Sequence, residues 1–149
     1  MSLQSKVMDA MKVAMKAKDS QALESLRAVK SAILLAQTES GAKAELTEAE
    51  ELKLLQKLVK QRKDSAAIFT EQGRDDLAAP ELAQAEIISQ FLPEQMSEEE
   101  IGKVVDEIIA QTGASSMKDM GKVMGMANGK LAGKADGSTI AKLVKAKLS

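Results

Sequence analysis

The first half of the chain repeats hydrophobic residues three or four positions apart, which is the spacing of an amphipathic helix. Three such segments carry the apolar positions Leu3, Val7, Met11, Ala14 and Met15, then Ala22, Leu26, Val29, Ile33 and Ala36, then Leu52, Leu55, Val59, Ala66 and Phe69. Asp19 or Ser20 is suited to cap the second helix, and Thr47 with Glu50 forms a capping box for the third. Residues 38–46 are expected to form a turn.

Two prolines organise the middle of the chain. Proline lacks the amide hydrogen needed inside a helix and fits best in the first turn, so a fourth helix is expected to begin within residues 76–79 and to carry Pro80 there. The residue before a proline is pushed out of the helical region, so this helix should end before Pro93. Residues 92–96 therefore mark the predicted boundary between two halves.

Three shorter helices are predicted beyond that boundary. Their apolar positions are Ile101, Val104, Val105, Ile108 and Ile109, then Met117, Met120, Val123 and Met124, then Ile140, Leu143, Val144 and Leu148. Their expected caps are a Ser97–Glu100 capping box, Ser116 with Asp119, and Asp136. Strand-like alternation of useful length is absent from the sequence. The prediction is an all-α protein with a four-helix part over residues 1–93 and a three-helix part over residues 96–149.

Composition narrows the possible chemistry. The 149 residues include no His and no Cys, and aromatic residues make up 1%. A Ser-His-Asp or Cys-His nucleophile pair is therefore excluded, as are disulfides and the usual ligands of structural zinc. We expect no catalytic residues, no metal site and no cofactor.

The sequence also bears on location. No apolar run approaches the roughly 20 residues that span a bilayer, and the opening segment alternates charge with apolar residues. These features predict a cytoplasmic protein with no membrane partner.

Charge and glycine are concentrated unevenly. Residues 71–112 are strongly acidic, whereas residues 113–149 are basic, and glycines stand at Gly113, Gly121, Gly125, Gly129, Gly133 and Gly137. Gly121 and Gly125 fall on one helix, where the missing Cβ permits either tight internal packing or close approach of a ligand. Lys118, Lys122, Lys130 and Lys134 flank these glycines, and lysines beside small residues and helix N-termini suit phosphate. Because stacking rings are scarce, structured RNA fits better than single strands.

A second basic patch lies on the third predicted helix. Lys53, Lys57 and Lys60 share one face, and Arg62 and Lys63 follow. A solvated flank opposite the core is the favoured interpretation. Arg62 is the exception, because it falls on the apolar stripe and must extend to solvent or pair with a carboxylate, such as Asp76 or another acid of residues 75–86.

Several short motifs together resemble the GatB/YqeY domain family, in particular its stand-alone YqeY type. They are Leu26-Arg27, residues 60–65 (KQRKDS), Gly73-Arg74 with Asp76-Leu77, residues 92–95 (LPEQ), and above all residues 119–124 (DMGKVM) followed by residues 133–137 (GKADG). The resemblance covers essentially the whole chain. Pro80 departs from the helix-forming residue expected at its position.

The resemblance implies a function for the C-terminal half. That half is similar to the tail domain of the B subunit of the tRNA-dependent amidotransferase, so it implies contact with tRNA or with a tRNA-charging or amidation complex. Carried onto this chain, Lys118, Lys122 and Lys134 are the expected phosphate contacts, and Gly121 and Gly125 permit close approach. DNA is not an expected partner. The family resemblance alone would also attribute to this chain a carbon–nitrogen ligase activity with glutamine as amido-N-donor. Nothing in this chain corresponds to the kinase or glutaminase domains of the amidotransferase.

Three functions therefore remain open. The first is a non-catalytic protein that binds tRNA or a tRNA-charging complex through its C-terminal half. The second is a protein–protein interaction adaptor without RNA binding, which uses its acidic middle and basic tail. The third is an accessory part in amidation.

Overall fold

The computed structural model describes residues 2–39 and 45–149, and every regular element in them is helical, which confirms the predicted all-α class. The helices are α1 (Leu3–Ala17), α2 (Ser20–Glu39), α3 (Glu48–Glu71), α4 (Asp75–Ser89), α5 (Glu98–Thr112), a short 3-10 helix (Met117–Asp119), α6 (Met120–Lys130) and α7 (Gly137–Leu148). None of these helices is both long and apolar enough to cross a membrane.

The chain forms two compact units, which we call the N-terminal unit (Met1–Leu92) and the C-terminal unit (Pro93–Ser149). The described part of the N-terminal unit contains α1 to α4 around a core that includes Val7, Leu26, Val29, Leu55 and Ile88. The similarity of the C-terminal part to an amidotransferase tail stays a prediction.

Local capping explains where the first helices begin. The Ser2 hydroxyl accepts a hydrogen bond from the Ser5 amide at 3.2 Å, and one Asp19 carboxylate oxygen accepts one from the Ala22 amide at 3.1 Å. Asp19, rather than Ser20, therefore caps α2. Helix α2 continues to Glu39, so the predicted turn begins later than residue 38, and residues 40–44 of that turn lie outside the described part.

The α1 stripe differs from the prediction at one position. Leu3, Val7 and Ala14 are buried, whereas Met15 is 54% exposed. Met15 stands one residue after Ala14, and a helix turns about 100° per residue, so Met15 falls beyond the edge of the buried face.

Helix α3 begins and ends as predicted. Thr47 and Glu50 form the reciprocal capping box, and the helix stops at Glu71, before Gly73, whose φ of 72° is left-handed. After this turn, the Arg74 guanidinium donates two hydrogen bonds to the Asp76 carboxylate, at 3.1 and 3.0 Å. The hydrogen bond from Arg74 lowers the pKa of Asp76 from its ordinary value. The exposed pair bridges the start of α4.

Pro80 lies inside α4 rather than in its first turn. The helix already begins at Asp75, so Pro80 is the sixth helical residue. A proline there cannot donate to the carbonyl four residues earlier, yet the helix continues to Ser89. Ala78, Ala85 and Ile88 are buried and hold the helix to the unit, whereas Pro80 is exposed. The predicted start within residues 76–79 is therefore wrong, and α4 is continuous through Pro80.

Arg62 has neutral partners instead of the predicted carboxylate. Its Nε donates to the Gln84 side-chain oxygen at 3.1 Å, and its Nη1 donates to the Leu58 carbonyl at 3.1 Å. Asp76, the suggested partner, is engaged by Arg74. The guanidinium is partly buried and lies on the side of α3 that faces α4, as the apolar stripe indicated.

The C-terminal unit packs α5, α6 and α7 around a core that includes Ile108, Val123, Leu131, Ile140 and Val144. The Ser97 hydroxyl accepts a hydrogen bond from the Glu100 amide at 3.2 Å, which is one half of the predicted capping box.

An ion pair joins the last helix to the first helix of this unit. The Lys147 ammonium lies 2.7 Å from an Asp106 carboxylate oxygen. A Cβ placed on Gly102 would come within 3.8 Å of Lys147 Cε, so the lysine stem covers that glycine. Lys147 thereby contributes to the packing of α7 on α5.

Candidate nucleic-acid interface

The predicted interface lies along α6 and the segments on either side of it. Val123 and Ala127 on the inner side of the helix are fully buried, and Leu131 follows them into the core. Gly121 and Gly125 are exposed, as is Gly129, which continues the four-residue spacing. Burial of one face and exposure of the other follow from the helical period.

The glycines border open space. A Cβ built on Gly121, Gly125 or Gly129 would find no atom within 4 Å among the described residues, apart from its chain neighbours and the nearby backbone of its own helix. Of the two interpretations that the sequence permitted, tight internal packing therefore does not apply to these positions. We call the exposed stripe formed by Gly121, Gly125 and Gly129 the glycine face.

Two of the predicted lysines lie near the start of this face. Lys118 belongs to the 3-10 helix and Lys122 to the first turn of α6, and both are exposed. Lys122 stands seven residues before Gly129, two helical turns, so these two residues share a side of the helix. Neither lysine forms an ion pair with a described residue.

Lys134 lies beyond the other end of α6. It is exposed and follows Gly133, whose φ of 75° is left-handed. The Lys134 carbonyl accepts a hydrogen bond from the Met96 amide at 2.9 Å, and the Gln95 side chain donates to the Gly133 carbonyl at 2.7 Å. The turn that carries Lys134 is therefore held by the segment that begins this unit. Helix α6, whose 11 residues span about 16 Å, lies between Lys118 and Lys134 in the chain.

The N-terminus of α6 is less open than the sequence indicated. The Asp119 and Met120 amides donate to the Ser116 and Met117 carbonyls in the 3-10 turn, so they are not available to a phosphate. The predicted Ser116 cap does not form either. The Asp119 carboxylate instead accepts a hydrogen bond from the Ser115 amide at 3.2 Å.

The cap predicted for α7 also differs. Asp136 occupies the N-cap position, but its carboxylate accepts a hydrogen bond from the Ser138 hydroxyl and caps no backbone amide among the described residues.

Sequence reasoning did not select Asn128, which is exposed on α6. It stands seven residues after Gly121, and this spacing, visible in the sequence, places it at one edge of the glycine face. Its amide could donate to or accept from a ligand lying along the glycines.

The described residues contain no group of three or more His, Cys, Asp or Glu side chains placed to hold a metal ion. The arrangement offers separated positive charges beside a strip of exposed backbone. Such a surface can bind an extended anion, but it contains no nucleophile paired with an imidazole, since the sequence has no His.

Comparison with known proteins identifies the family. A family model described as "Yqey-like protein" matches residues 4–148. The chain belongs to the YqeY family. The resemblance that the sequence motifs indicated is thus confirmed.

Two curated relatives are similar over part of the chain. Altered inheritance of mitochondria protein 41, mitochondrial, from Clavispora lusitaniae is 42% identical over 82 residues, which cover 55% of this chain and 46% of that protein. The E subunit of the glutamyl-tRNA(Gln) amidotransferase from Thermococcus gammatolerans is 36% identical over 73 residues, which cover 46% of this chain and 12% of that protein. The similarity spans less than half the length of each relative.

Proposed function

We propose that this protein binds tRNA, alone or within a tRNA-charging or amidation complex, through the glycine face and its flanking lysines in the C-terminal unit. The observation that carries the proposal is the exposure of Gly121 and Gly125 on a helix where a Cβ would meet no described atom. Family membership and the similarity to an amidotransferase subunit support the choice of tRNA.

The three glycines of the glycine face destabilise helix α6, and packing inside the protein does not require them. Glycine inside a helix is less favourable than alanine by about 0.5–1 kcal/mol, because the unfolded glycine chain has more freedom to lose. Gly121, Gly125 and Gly129 all lie in α6 and face no described neighbour that would exclude a methyl group. Close approach of an external backbone gives these glycines a role that internal packing does not.

The lysines suit the phosphate backbone of a folded RNA. Lys118 and Lys122 lie near the start of the glycine face, and Lys134 lies beyond its far end. Phosphate contacts of this kind contribute affinity by releasing counterions. The C-terminal unit contains no aromatic residue, and Phe69 and Phe91 in the N-terminal unit are both partly buried. Recognition by shape and phosphate is therefore favoured over stacking on single strands.

We further propose that this chain alone catalyses no reaction. The proposed location of the protein is the cytoplasm. The ligase label of the family, with glutamine as amido-N-donor, describes chemistry for which this sequence shows no phosphate-activating or glutamine-hydrolysing centre. A role in amidation would therefore be accessory, through the tRNA or the complex that carries it.

The test is the salt dependence of tRNA binding by a Lys118→Ala/Lys122→Ala/Lys134→Ala variant. Binding of an unmodified tRNA transcript is measured by fluorescence anisotropy between about 50 and 200 mM salt. Each lost phosphate contact should reduce the magnitude of the salt slope by about one, so the triple variant should bind weakly with a slope reduced by about three.

The variant must remain folded for this result to count. All three side chains are exposed and make no described ion pair, so circular dichroism should be unchanged. A folded triple variant that binds tRNA with the parent's affinity and slope would refute the proposal and favour the adaptor function.

A further inference from the structure

A groove of about 670 Å³ lies on the N-terminal unit and is lined by residues of α1, α2 and α4. Helix α1 contributes Ala10, Val13 and Ala17 to one wall, and α4 contributes Ile87 to the other. Helix α2, against which both α1 and α4 pack, contributes the buried Leu26. The groove therefore belongs to one unit and depends on three of its helices.

The α1 wall is an apolar surface that the core of this unit does not cover. Ala10, Val13 and Ala17 recur three and four positions apart, so they share one side of the helix, next to the buried Ala14. Val13 is nevertheless 67% exposed, and Ala17 is exposed as well. Because the solvent side of an amphipathic helix is ordinarily polar, this part of α1 has the composition of a face that packs against a further element.

The groove also carries negative charge. Asp19 and Glu86 line it, both are exposed, and no Lys or Arg is among the described residues that line it. Neither carboxylate forms an ion pair within the described part of the chain. Lys16 and Lys18 stand close to Asp19 in the sequence, but neither lines the groove. A positively charged occupant would therefore meet carboxylates that the protein itself leaves unpaired.

The walls fit a helix better than an extended segment. They are helices, whose backbone groups bond internally, and the described part of the chain offers no strand edge to an extended peptide. An extended occupant would leave its own amides and carbonyls without partners against apolar side chains, whereas a helix satisfies most of them itself. The groove has alanines at positions 10, 14, 17 and 22, and such small side chains let two helix axes approach to about 8 Å.

We propose that the groove binds an amphipathic helix of a partner protein, with lysine or arginine beside its apolar stripe. The stripe covers Val13 and Ala17, and the basic side chains pair with Asp19 and Glu86. Exposed ion pairs add little affinity, so burial of apolar surface supplies most of the binding, and the two carboxylates select the charge of the partner. The same carboxylates repel phosphate, which distinguishes this surface from the glycine face.

The test uses three synthetic peptides of about 18 residues, a length at which a peptide can form a helix alone. The basic peptide has an alanine background, leucines three and four positions apart, and lysines on both sides of the leucine stripe. The acidic peptide replaces each lysine with glutamate, and the polar peptide replaces each leucine with glutamine. Binding of each labelled peptide to the full-length protein is measured by fluorescence anisotropy at low and at physiological salt.

Val13→Gln tests the apolar part of the contact. Val13 is exposed, and glutamine favours a helix at least as well as valine, so the variant should melt like the parent. It should bind the basic peptide about tenfold more weakly, because less apolar surface is buried. Met15→Gln is the matched control: Met15 is 54% exposed on the same helix but does not line the groove, and this variant should bind like the parent.

Asp19→Asn/Glu86→Gln tests the charges. Asparagine retains the cap that Asp19 provides to α2, so the fold should be unchanged. The parent should bind the basic peptide at least about tenfold more tightly than the acidic one, and the double variant should lose most of this preference and of its salt dependence. Glu24→Gln/Glu71→Gln removes two exposed acids that do not line the groove, and it should keep the preference.

The peptide measurements can overturn the inference in three ways. A Val13→Gln variant that binds the basic peptide like the parent, or a Met15→Gln variant that loses as much, would show that the groove is not the site. Equal binding of the basic and acidic peptides by the parent would refute a basic partner. Equal binding of the polar peptide would refute an apolar stripe.

Other occupants are tested with the same variant. A parent dimer, detected by sedimentation, that Val13→Gln dissociates would assign the groove to a second copy of this chain. Parent binding to phosphatidylcholine vesicles that Val13→Gln abolishes would assign it to a lipid surface. Either result overturns the inference.

The inference goes beyond the proposed function and does not rest on it. The peptide measurements contain no RNA, so they decide the inference whether or not tRNA binds the C-terminal unit. Val13→Gln should bind tRNA with the parent's affinity, because the carboxylates of the groove repel phosphate. A loss of tRNA binding in this variant, with the fold retained by circular dichroism, would assign the groove to RNA and overturn the inference.

Discussion

At the scale of single residues, Arg62 is a partly buried cation held by neutral oxygens. Removing a guanidinium from water is costly, and the two hydrogen bonds from Nε to Gln84 and from Nη1 to the Leu58 carbonyl offset part of that cost. Hydrogen bonds to charged groups contribute more than neutral ones, about 1.5–3 kcal/mol each. Gln84 therefore stabilises the contact between α3 and α4 although it carries no charge.

Replacing Gln84 should expose this dependence. Gln84→Leu should lower the free energy of unfolding by about 1.5–3 kcal/mol, because it leaves Arg62 with a single partner. Adding Arg62→Met should cost less than the sum of the two single changes, since the unpaired charge is then gone. Urea denaturation of both single variants and the double variant measures the coupling. Additive effects would show that the two side chains act independently.

The sequence could place Arg62 on the apolar stripe but could not name its partner. Partner choice follows from how α3 and α4 align after the turn at Gly73, which brings Gln84, 22 positions away, against Arg62. A rule that pairs opposite charges favours Asp76, but the nearby Arg74 holds that carboxylate in a local ion pair. Because Gln84 is uncharged, a search of the sequence for opposite charges could not identify it as the partner.

At the scale of elements, α4 continues through a proline. Pro80 leaves the Asp76 carbonyl without its helical donor, and a proline in a helix interior costs roughly 3 kcal/mol. The exposed position of Pro80 lets water reach this part of the helix. The helix forms because its buried residues, including Ala85 and Ile88, stabilise it through packing.

Pro80→Ala should therefore stabilise the protein. The new amide can donate to the Asp76 carbonyl, and the expected gain in the free energy of unfolding is about 1–3 kcal/mol. The other proline of the chain provides the control, because Pro93 lies outside the helices. Pro93→Ala should give no gain, since it only increases the freedom of the unfolded chain. Thermal melts of both variants test this, and an equal gain from both would contradict the account of α4.

Helix boundaries were predictable where the cap is local. Asp19 and the Thr47–Glu50 box depend on residues three positions apart, and both form. The Ser116 and Asp136 caps do not form; the neighbouring Asp119 accepts from the Ser115 amide, and Asp136 accepts from the Ser138 hydroxyl. Such alternative hydrogen bonds among neighbouring polar groups are not visible in a spacing pattern.

At the scale of the whole molecule, helical periodicity was sufficient to predict the all-α class, and most buried positions of α1, α2, α3, α5 and α7 follow the predicted stripes. Around α6 the agreement is poorer, because Ala127 and Leu131 are buried without having been predicted and Met117 is exposed. The sequence identified the residues of the candidate site, but it did not show whether they are packed or exposed. Two glycines four apart fit both close packing and an open face, and only the three-dimensional arrangement shows that Gly121 and Gly125 border open space. Whether this face binds RNA stays a prediction.

The same openness makes a decisive test possible. A Cβ added at Gly121 or Gly125 meets no neighbouring residue within 4 Å. We therefore expect Gly121→Leu and Gly125→Leu to keep the fold, and stability should rise by up to about 1 kcal/mol through helix propensity. If the glycine face admits a tRNA backbone, the added bulk must block it. Ala110→Leu, at an exposed position of α5 in the same unit, is the matched control.

The measurement that tests the central claim most directly is the dissociation constant for a tRNA transcript, determined beside the melting temperature, for these three variants and the parent. The account predicts that Gly121→Leu and Gly125→Leu melt at or above the parent's temperature yet bind tRNA at least about tenfold more weakly, a loss of about 1.4 kcal/mol, while Ala110→Leu binds like the parent. Stable glycine variants that bind tRNA with the parent's affinity would contradict the claim.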